Sequence, residues 1–499
     1  MKLSFLISGI QTFLSGPAPE EEIQISSIEY DSRQVTPGAL FVAIPGEAVD
    51  GHRYIDSAIE KGAVAVVGER QPKTISVPFI QVANARVALA DISAAFCGNP
   101  AEKLTLIGVT GTNGKTTTTY ILESIFKAAG HNCGVMGTVN TRYNGFQLPS
   151  AMTTPESRDI QKTLSEMVEA GVTHAVMEVS SHALALQRVQ GCRFDAAIFT
   201  NLTQDHLDYH GSMESYWEMK KRLFAHHLKE GGKGIINSAS EKGRELITKP
   251  LCPVFSVGSE ASSLTTRNIS VGIDCMTGEF VTKEGSVPFS SRSTGRYNLE
   301  NILCAAGAAL STGISMEAIV EGIRAFKVPG RLEWVENSRK LHLFVDYAHT
   351  PDALENVLST LRSLVPGRLI SVFGCGGDRD RTKRPLMGEI GTRLSDLAVI
   401  TSDNPRTEDP WRILEDVIAG VGPDLIKHDA EKPLPRHLPK GYVVEPDRKK
   451  AIAIAVNAAL PGDTILIAGK GHETYQVIGD TRIDFDDRVE VARAVENAT

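Results

Sequence analysis

Leu104-Thr105-Leu106-Ile107-Gly108-Val109-Thr110-Gly111-Thr112-Asn113-Gly114-Lys115-Thr116-Thr117-Thr118-Thr119 decides the reading of this chain. Leu104 to Val109 is an apolar run of strand length, and Tyr120 to Phe126 has helical periodicity, so the glycine-bearing segment is a strand-to-helix turn. Glycines there let backbone N–H groups approach a phosphate. The helix N-terminus adds partial positive charge, Lys115 adds a full one, and Thr116 offers a hydroxyl to Mg²⁺. The usual pattern has its first glycine where Val109 stands, so this is a tighter variant built on Gly111 and Gly114, with Thr112, Asn113 and Thr117 completing the loop. The stretch predicts a nucleoside triphosphate site.

The chain has 499 residues, with 52 Lys plus Arg against 60 Asp plus Glu and a net charge of −8. That balance argues against a general nucleic-acid surface but leaves room for local clusters that meet anionic small molecules. The length predicts three domains, at 1–98, 99–328 and 329–499. Seven scattered cysteines without metal-type spacing fit a reducing compartment. The apolar run from Met1 to Ile10 is too short to span a bilayer and lacks a cleavage pattern. It reads as a first helix, and a cytoplasmic location is expected.

Residues 1–98 alternate strands at 28–30, 39–43 and 63–67 with one helix, 52–61, as a small α/β unit. Two loops there carry hydroxyl, guanidinium and glycine-backbone donors: Asp31-Ser32-Arg33, and Pro45 to His52 with Gly46, Glu47 and Ala48. They suit an anion such as a pyrophosphate and read equally well as ordinary turns. The central domain repeats strand and helix around a parallel sheet, with an antiparallel insertion at 260–294. In the third unit, strands at 341–346, 369–373, 398–401 and 464–468 each end in a polar or glycine-rich loop, where open α/β sheets place ligands.

Glu178 ends an apolar strand, the place from which an acid holds Mg²⁺ in phosphate-loop enzymes. His206 lies in a polar loop one strand on, where an ordinary hydrogen-bonding role competes with a ligand role. Lys220 sits in a polar helix, and its spacing alone favours a solvated surface lysine. The basic loop Asp378 to Arg384, which includes Arg379, reads as carboxylate or phosphate capture or as a solvated charge run. Asp403-Asn404-Pro405-Arg406 offers acid, amide and base within four residues, which suits a zwitterion such as an amino acid and equally an Asn-Pro turn. Ala468-Gly469-Lys470-Gly471-His472-Glu473 repeats the theme.

Together, Thr110–Thr117, Met177–His182, Thr200–His210, Arg296–Asn301, Pro329–Glu333, Asp346–Pro351, Asp378–Pro385 and Ala468–Glu473 resemble the Mur ligases of peptidoglycan synthesis over essentially the whole chain. The resemblance implies an α/β fold of three domains. A central phosphate-loop domain is flanked by a small N-terminal α/β domain and a C-terminal Rossmann-like α/β domain. It implies ATP and Mg²⁺, and small-molecule substrates rather than nucleic acid, for a monomer. Within the family the chain looks most like the branch that adds meso-diaminopimelate to UDP-N-acetylmuramoyl-L-alanyl-D-glutamate, because Asp403–Arg406 resembles the diaminopimelate signature. The lysine-adding branch departs at the last residue, and the extra carboxylate of diaminopimelate calls for a cation such as Arg406.

By resemblance, Ser32 and Gly46-Glu47-Ala48 would hold the UDP-sugar, and Thr153, Thr154, Ser180 and Arg188 the muramoyl-peptide. This chain has Leu186 where the family places a glutamine, and Met152 where some members carry an amide. Asn298, Asn301, Arg331 and Asp346 match nucleotide contacts; Arg379, Asp403, Asn404, Pro405, Arg406, Gly469 and Glu473 match the amino-acid site. Lys220 aligns with the family's carbamylated lysine, which reverses the surface reading and joins it to Thr116, Glu178 and His206 as a Mg²⁺ ligand. Lys115, Glu178, His206 and Lys220 make the catalytic set. A lysine-adding ligase, a folylpolyglutamate synthetase-like ligase and a nucleotide-dependent switch remain as rivals.

Overall fold

The structure is a computed structural model that describes residues 1–10, 12–15, 22–46, 49–365, 367–435 and 438–498. The chain divides into two compact units. The first comprises Met1–Leu202, His210–Ser263 and Cys304–Gly322, and the second Thr203–Tyr209, Leu264–Leu303 and Ile323–Thr499.

The first unit holds two sheets. The smaller has the strand order Thr12–Ser15, Phe79–Val82, Ala63–Gly68, Ala39–Ala43, Ser27–Glu29, all parallel except the edge strand Thr12–Ser15. Ala39–Ala43 is apolar throughout because both its faces are covered. Leu40 and Val42 pack with Ala85, Leu89 and Ile92 of the helix Ala85–Phe96, while Phe41 and Ala43 pack with Ile55 and Ala58. That helix goes beyond the single one expected here. Its alanines leave little apolar contrast between faces, and its clearest local signal is Asn84, which caps the backbone N–H groups of Arg86 and Val87. The expected helix 52–61 is a 3₁₀ turn, Gly51–Tyr54, running into Ile55–Glu60.

The larger sheet runs Val254–Gly258, Leu228–Asn237, Phe194–Phe199, Thr105–Thr110, His174–Glu178, Cys133–Met136 in parallel, then Asn140–Tyr143 and Phe146–Pro149 as an antiparallel hairpin. Thr105–Thr110 is therefore central, so the glycine loop leaves the middle of the sheet. Arg158 joins the two sheets by donating to Ile28 O at 3.0 Å and to Glu29 at 2.8 Å.

In the second unit Leu264–Val271, Met276–Thr282 and Gly285–Ser291 form the antiparallel insertion expected at 260–294. Its main sheet has the order Glu333–Trp334, His342–Asp346, Thr464–Ala468, Leu369–Phe373, Leu397–Ile400, Gly441–Val444, Ile426–Lys427, all parallel after the first strand. The last strand of that unit's parallel set, Thr464–Ala468, inserts between the first two to be made. Because these strands are parallel, the loops at their carboxyl ends open on one edge. No helix among the described residues is long and apolar enough to cross a membrane.

Candidate functional site

Gly111 has φ +148°, and a Cβ there would lie 1.9 Å from Thr200 Oγ1. Only glycine fits this close crossing of two strand ends. Asn201 stitches the loop shut: its side chain accepts from Asn113 N at 2.9 Å, and its carbonyl accepts from Thr112 N at 3.0 Å. Thr200 Oγ1 donates to Asn113 O at 2.6 Å. Gly114, at φ +88°, starts the helix Lys115–Ala128, so Thr116 and Thr117 stand in its first turn. Lys115 Nζ folds back over the loop to Gly111 O at 2.9 Å and Thr112 O at 2.8 Å. The strand, turn and helix expected from Leu104–Thr119 are all present.

Glu178, almost wholly buried, accepts from Thr116 Oγ1 at 3.0 Å, Thr138 N at 3.0 Å and Thr138 Oγ1 at 2.9 Å. A carboxylate beside two hydroxyls is an all-oxygen donor set, the chemistry a hard cation such as Mg²⁺ takes. Among the described residues no three or more His, Cys, Asp or Glu side chains cluster at metal-binding distance, so a cation at Glu178 would draw on hydroxyls and on ligand oxygens.

Lys220 overturns the reading from spacing. It is 1% exposed and donates to Gly111 O at 2.9 Å, with its ammonium 4.5 Å from the Tyr216 ring centre. The helix Met213–His226 buries Tyr216, Trp217, Lys220, Leu223 and Phe224, so the lysine occupies the core-facing stripe rather than the wet face. His206 belongs to the second unit, where it has φ +53° and pairs with Asp205 at 3.4 Å.

The four residues expected to hold the muramoyl-peptide gather around the Glu178 strand end. Thr154 Oγ1 donates to Glu178 O at 2.8 Å and accepts from Ser180 N at 3.1 Å; Thr153 meets Thr138 Oγ1 at 3.1 Å. Arg188 donates to Thr154 O at 3.0 Å and to Glu156 at 3.0 Å, and Glu156 also accepts both contacts from Arg86. Met152 turns its sulfur towards Arg188, and Leu186 closes the short helix Ser181–Ala185. In the N-terminal loops, Ser32 is buried and Asp31 engages the Arg33 guanidinium. Gly46 donates to Val49 O; Glu47 and Ala48 lie outside the described residues.

In the second unit, Asp346 ends its strand by accepting from Leu332 N at 2.6 Å and Ala348 N at 2.8 Å. Burial pushes its carboxyl above the usual range, against the pull of Arg331, which stacks 4.4 Å from the Tyr347 ring centre. Asn298 donates to Thr294 O at 2.8 Å and also meets Asn301 at 3.4 Å.

The loops expected to take an amino acid converge although they are far apart in the chain. Asn404 Nδ2 donates to Glu473 at 3.1 Å, and its Oδ1 accepts from Lys470 Nζ at 3.1 Å and Val477 N at 3.0 Å. Pro405 O would sit 1.9 Å from a Cβ at Gly377, which fixes glycine there. Arg406, at φ +52°, donates to Gly377 O at 2.7 Å and pairs its backbone with Val477. Gly469 turns at φ +118° beside Asp403. Arg379 rims an open depression of about 730 Å³ shared with Asp378, Thr407 and Glu408. Two hydrogen bonds from the buried Arg384 hold the Glu408 carboxyl down to about 2. Sequence reasoning did not assign Thr138, Asn201, Lys470 or Arg448; all act through partners remote in the chain, although Asn201 and Lys470 stood in motifs already noted.

Family models match three stretches: "Mur ligase family, catalytic domain" at 24–97, "Mur ligase middle domain" at 109–309 and "Mur ligase, glutamate ligase domain" at 330–471. A UDP-N-acetylmuramoyl-L-alanyl-D-glutamate–2,6-diaminopimelate ligase of Geobacter metallireducens is 47% identical over 483 residues, 95% of this chain and 94% of the relative. The enzyme of that name from Nostoc sp. is 45% identical over 507 residues, 99% of this chain and 98% of the relative. A solved structure of a ligase with the same name superposes with a TM-score of 0.71 at 32% identity, covering 99% of each chain. Mycobacterium tuberculosis folylpolyglutamate synthase shares the fold at a TM-score of 0.61 and 17% identity, over 77% of this chain and 92% of that one.

Proposed function

The chain belongs to the Mur ligase family, and on that premise we propose that it is the ATP-dependent ligase joining the D-glutamyl γ-carboxylate of UDP-N-acetylmuramoyl-L-alanyl-D-glutamate to an amino group of meso-diaminopimelate. The observation that carries the substrate choice is the docking of Asp403–Arg406 against Gly469–Glu473. An acid, an amide and a pinned guanidinium then stand within one strand-end cluster. That set complements an ammonium with a carboxylate beside it, and Arg406 supplies the cation a lysine side chain would not need.

In the first step, a γ-carboxylate oxygen forms a bond to the terminal phosphorus of ATP. The bond to the bridging oxygen breaks, and ADP leaves with that electron pair. In the second step, the amine attacks the acyl carbon, inorganic phosphate departs, and the ammonium proton passes to solvent. Lys115 and the Gly111–Thr117 amides orient the terminal phosphate, and Thr153, Thr154, Ser180 and Arg188 orient the attacking carboxylate. Thr116 and Glu178 would hold a Mg²⁺, which would supply positive charge for the phosphate oxygens. Carbamylation of Lys220, in which the ammonium loses a proton, the neutral amine adds to carbon dioxide and a second proton passes to solvent, would convert a buried cation into an oxygen-donor anion; His206 keeps its ligand role on the resemblance alone. The free state of all seven cysteines supports a reducing, cytoplasmic setting.

The test is ATP-dependent phosphate release with the muramoyl-dipeptide and either diaminopimelate or lysine. Release is expected only with diaminopimelate and both other substrates present. Arg406→Ala should lower kcat/KM for diaminopimelate by about thirtyfold to a hundredfold, as loss of a charge-assisted contact predicts. Preference of the wild type for lysine would overturn the branch, and turnover with folate would overturn the substrate class.

A further inference from the structure

Lys470 is wholly buried, on the loop that follows the strand Thr464–Ala468. Its ammonium donates to Asn404 Oδ1 at 3.1 Å and to Glu473 Oε2 at 3.1 Å, and lies 3.6 Å from Asp403 Oδ1. Three of the groups expected to meet diaminopimelate therefore share one internal cation. The buried Asp403 and the half-buried Glu473, two carboxylates facing one ammonium, leave a net charge of −1. Asp403 Oδ1 is buried without a hydrogen-bond partner, although Asp403 O accepts from Gln476 at 2.6 Å. A carboxylate oxygen taken out of water with a long ion pair but no hydrogen bond is costly, so its position calls for a donor from a ligand.

We infer that Lys470 is a positioning and charge-setting residue for the amino-acid site: it holds Asn404 and Glu473 in place and tunes the Asp403–Glu473 pair to accept one, and only one, further ammonium. The assignment rests on the diaminopimelate reading and extends it to a residue that need not touch the substrate. A lysine does this better than an arginine, because a compact three-donor ammonium reaches three oxygens that do not lie in one plane. Arg448 pairs with Asp487 at 2.7 Å and also bears on Asp403 and Glu473; His349 faces Asp403, and burial lowers the pKa of His472, beside Lys470, to about 4. Tyr475 and Tyr347 face the same carboxylates, and Arg331, Arg406 and Arg482 bear on these rings from outside.

The test compares wild type with Lys470→Met and Lys470→Gln in the full chain. In both variants KM for diaminopimelate should rise by about thirtyfold, roughly 2 kcal/mol, with KM for ATP and for the muramoyl-dipeptide unchanged. A purely structural lysine would raise every KM together. That result, or a KM for diaminopimelate within about threefold of wild type, overturns the inference. Lys470→Gln keeps a hydrogen-bond donor and serves if Lys470→Met does not fold. Failure of the underlying reading is seen separately, as wild-type phosphate release that ignores diaminopimelate.

Discussion

Replacing Glu178 by glutamine separates a structural carboxylate from one that holds a cation. The side chain is 1% exposed and accepts three hydrogen bonds, from Thr116 Oγ1, Thr138 N and Thr138 Oγ1. Glutamine has the same shape. Its carbonyl oxygen can keep the bonds from Thr116 and Thr138 N. Its amide would then face Thr138 Oγ1, which can accept it by turning its own proton to Thr153 Oγ1, 3.1 Å away. No polar group is stranded; three charge-assisted bonds become neutral ones, offset by removal of a buried charge. Unfolding free energy should fall by only about 1–2 kcal/mol. Activity should respond quite differently. If the carboxylate holds the cation at the phosphates, kcat/KM should fall by about 10³-fold or more, roughly 4 kcal/mol of transition-state stabilisation. Urea unfolding and steady-state phosphate release on the same preparations measure the two quantities. Activity within about tenfold of wild type would refute the ligand role, and a stability loss above about 4 kcal/mol would show that the carboxylate mainly holds the fold.

Arg448 and Asp487 form a wholly buried ion pair at 2.7 Å, and Arg448 Nη2 also anchors Ala468 O at 3.0 Å. Arg448→Met should cost about 3–5 kcal/mol in urea unfolding because Asp487 is left charged and unpaired, and adding Asp487→Leu should recover most of it. Burial lowers the His227 pKa from 6.5 to about 4. The unfolded state therefore binds its proton first: this contribution is complete above pH 6.5 and is lost as pH falls towards 4, to a total of about 3 kcal/mol. His227→Gln should flatten the stability profile across that window, and an unchanged slope would show that the imidazole does not titrate on unfolding.

The glycine loop was legible because its chemistry is local. A strand, two glycines with positive φ, a lysine and a threonine all lie within consecutive residues, and each constrains its neighbour directly. Glu178 was legible for a similar reason, as an acid at the end of an unbroken apolar run. Lys220 was misread from spacing, since a lysine counts as polar wherever it falls. What decides its place is Gly111 O, whose distance in the chain exceeds one hundred residues, together with the stripe of Tyr216, Trp217, Leu223 and Phe224 that carries it inward.

What the residues determined unaided was the list of parts: a phosphate loop, parallel strands apolar on both faces, and polar loops at their carboxyl ends. Tertiary structure alone decided which of those loops meet. The strand Thr464–Ala468 enters between His342–Asp346 and Leu369–Phe373, and only that insertion lays Glu473 and Lys470 against Asn404. Backbone conformation and side-chain type belong to the residue. Burial and charge partners belong to strand order, which is selected by the free energy of the whole sheet rather than by any short window of sequence.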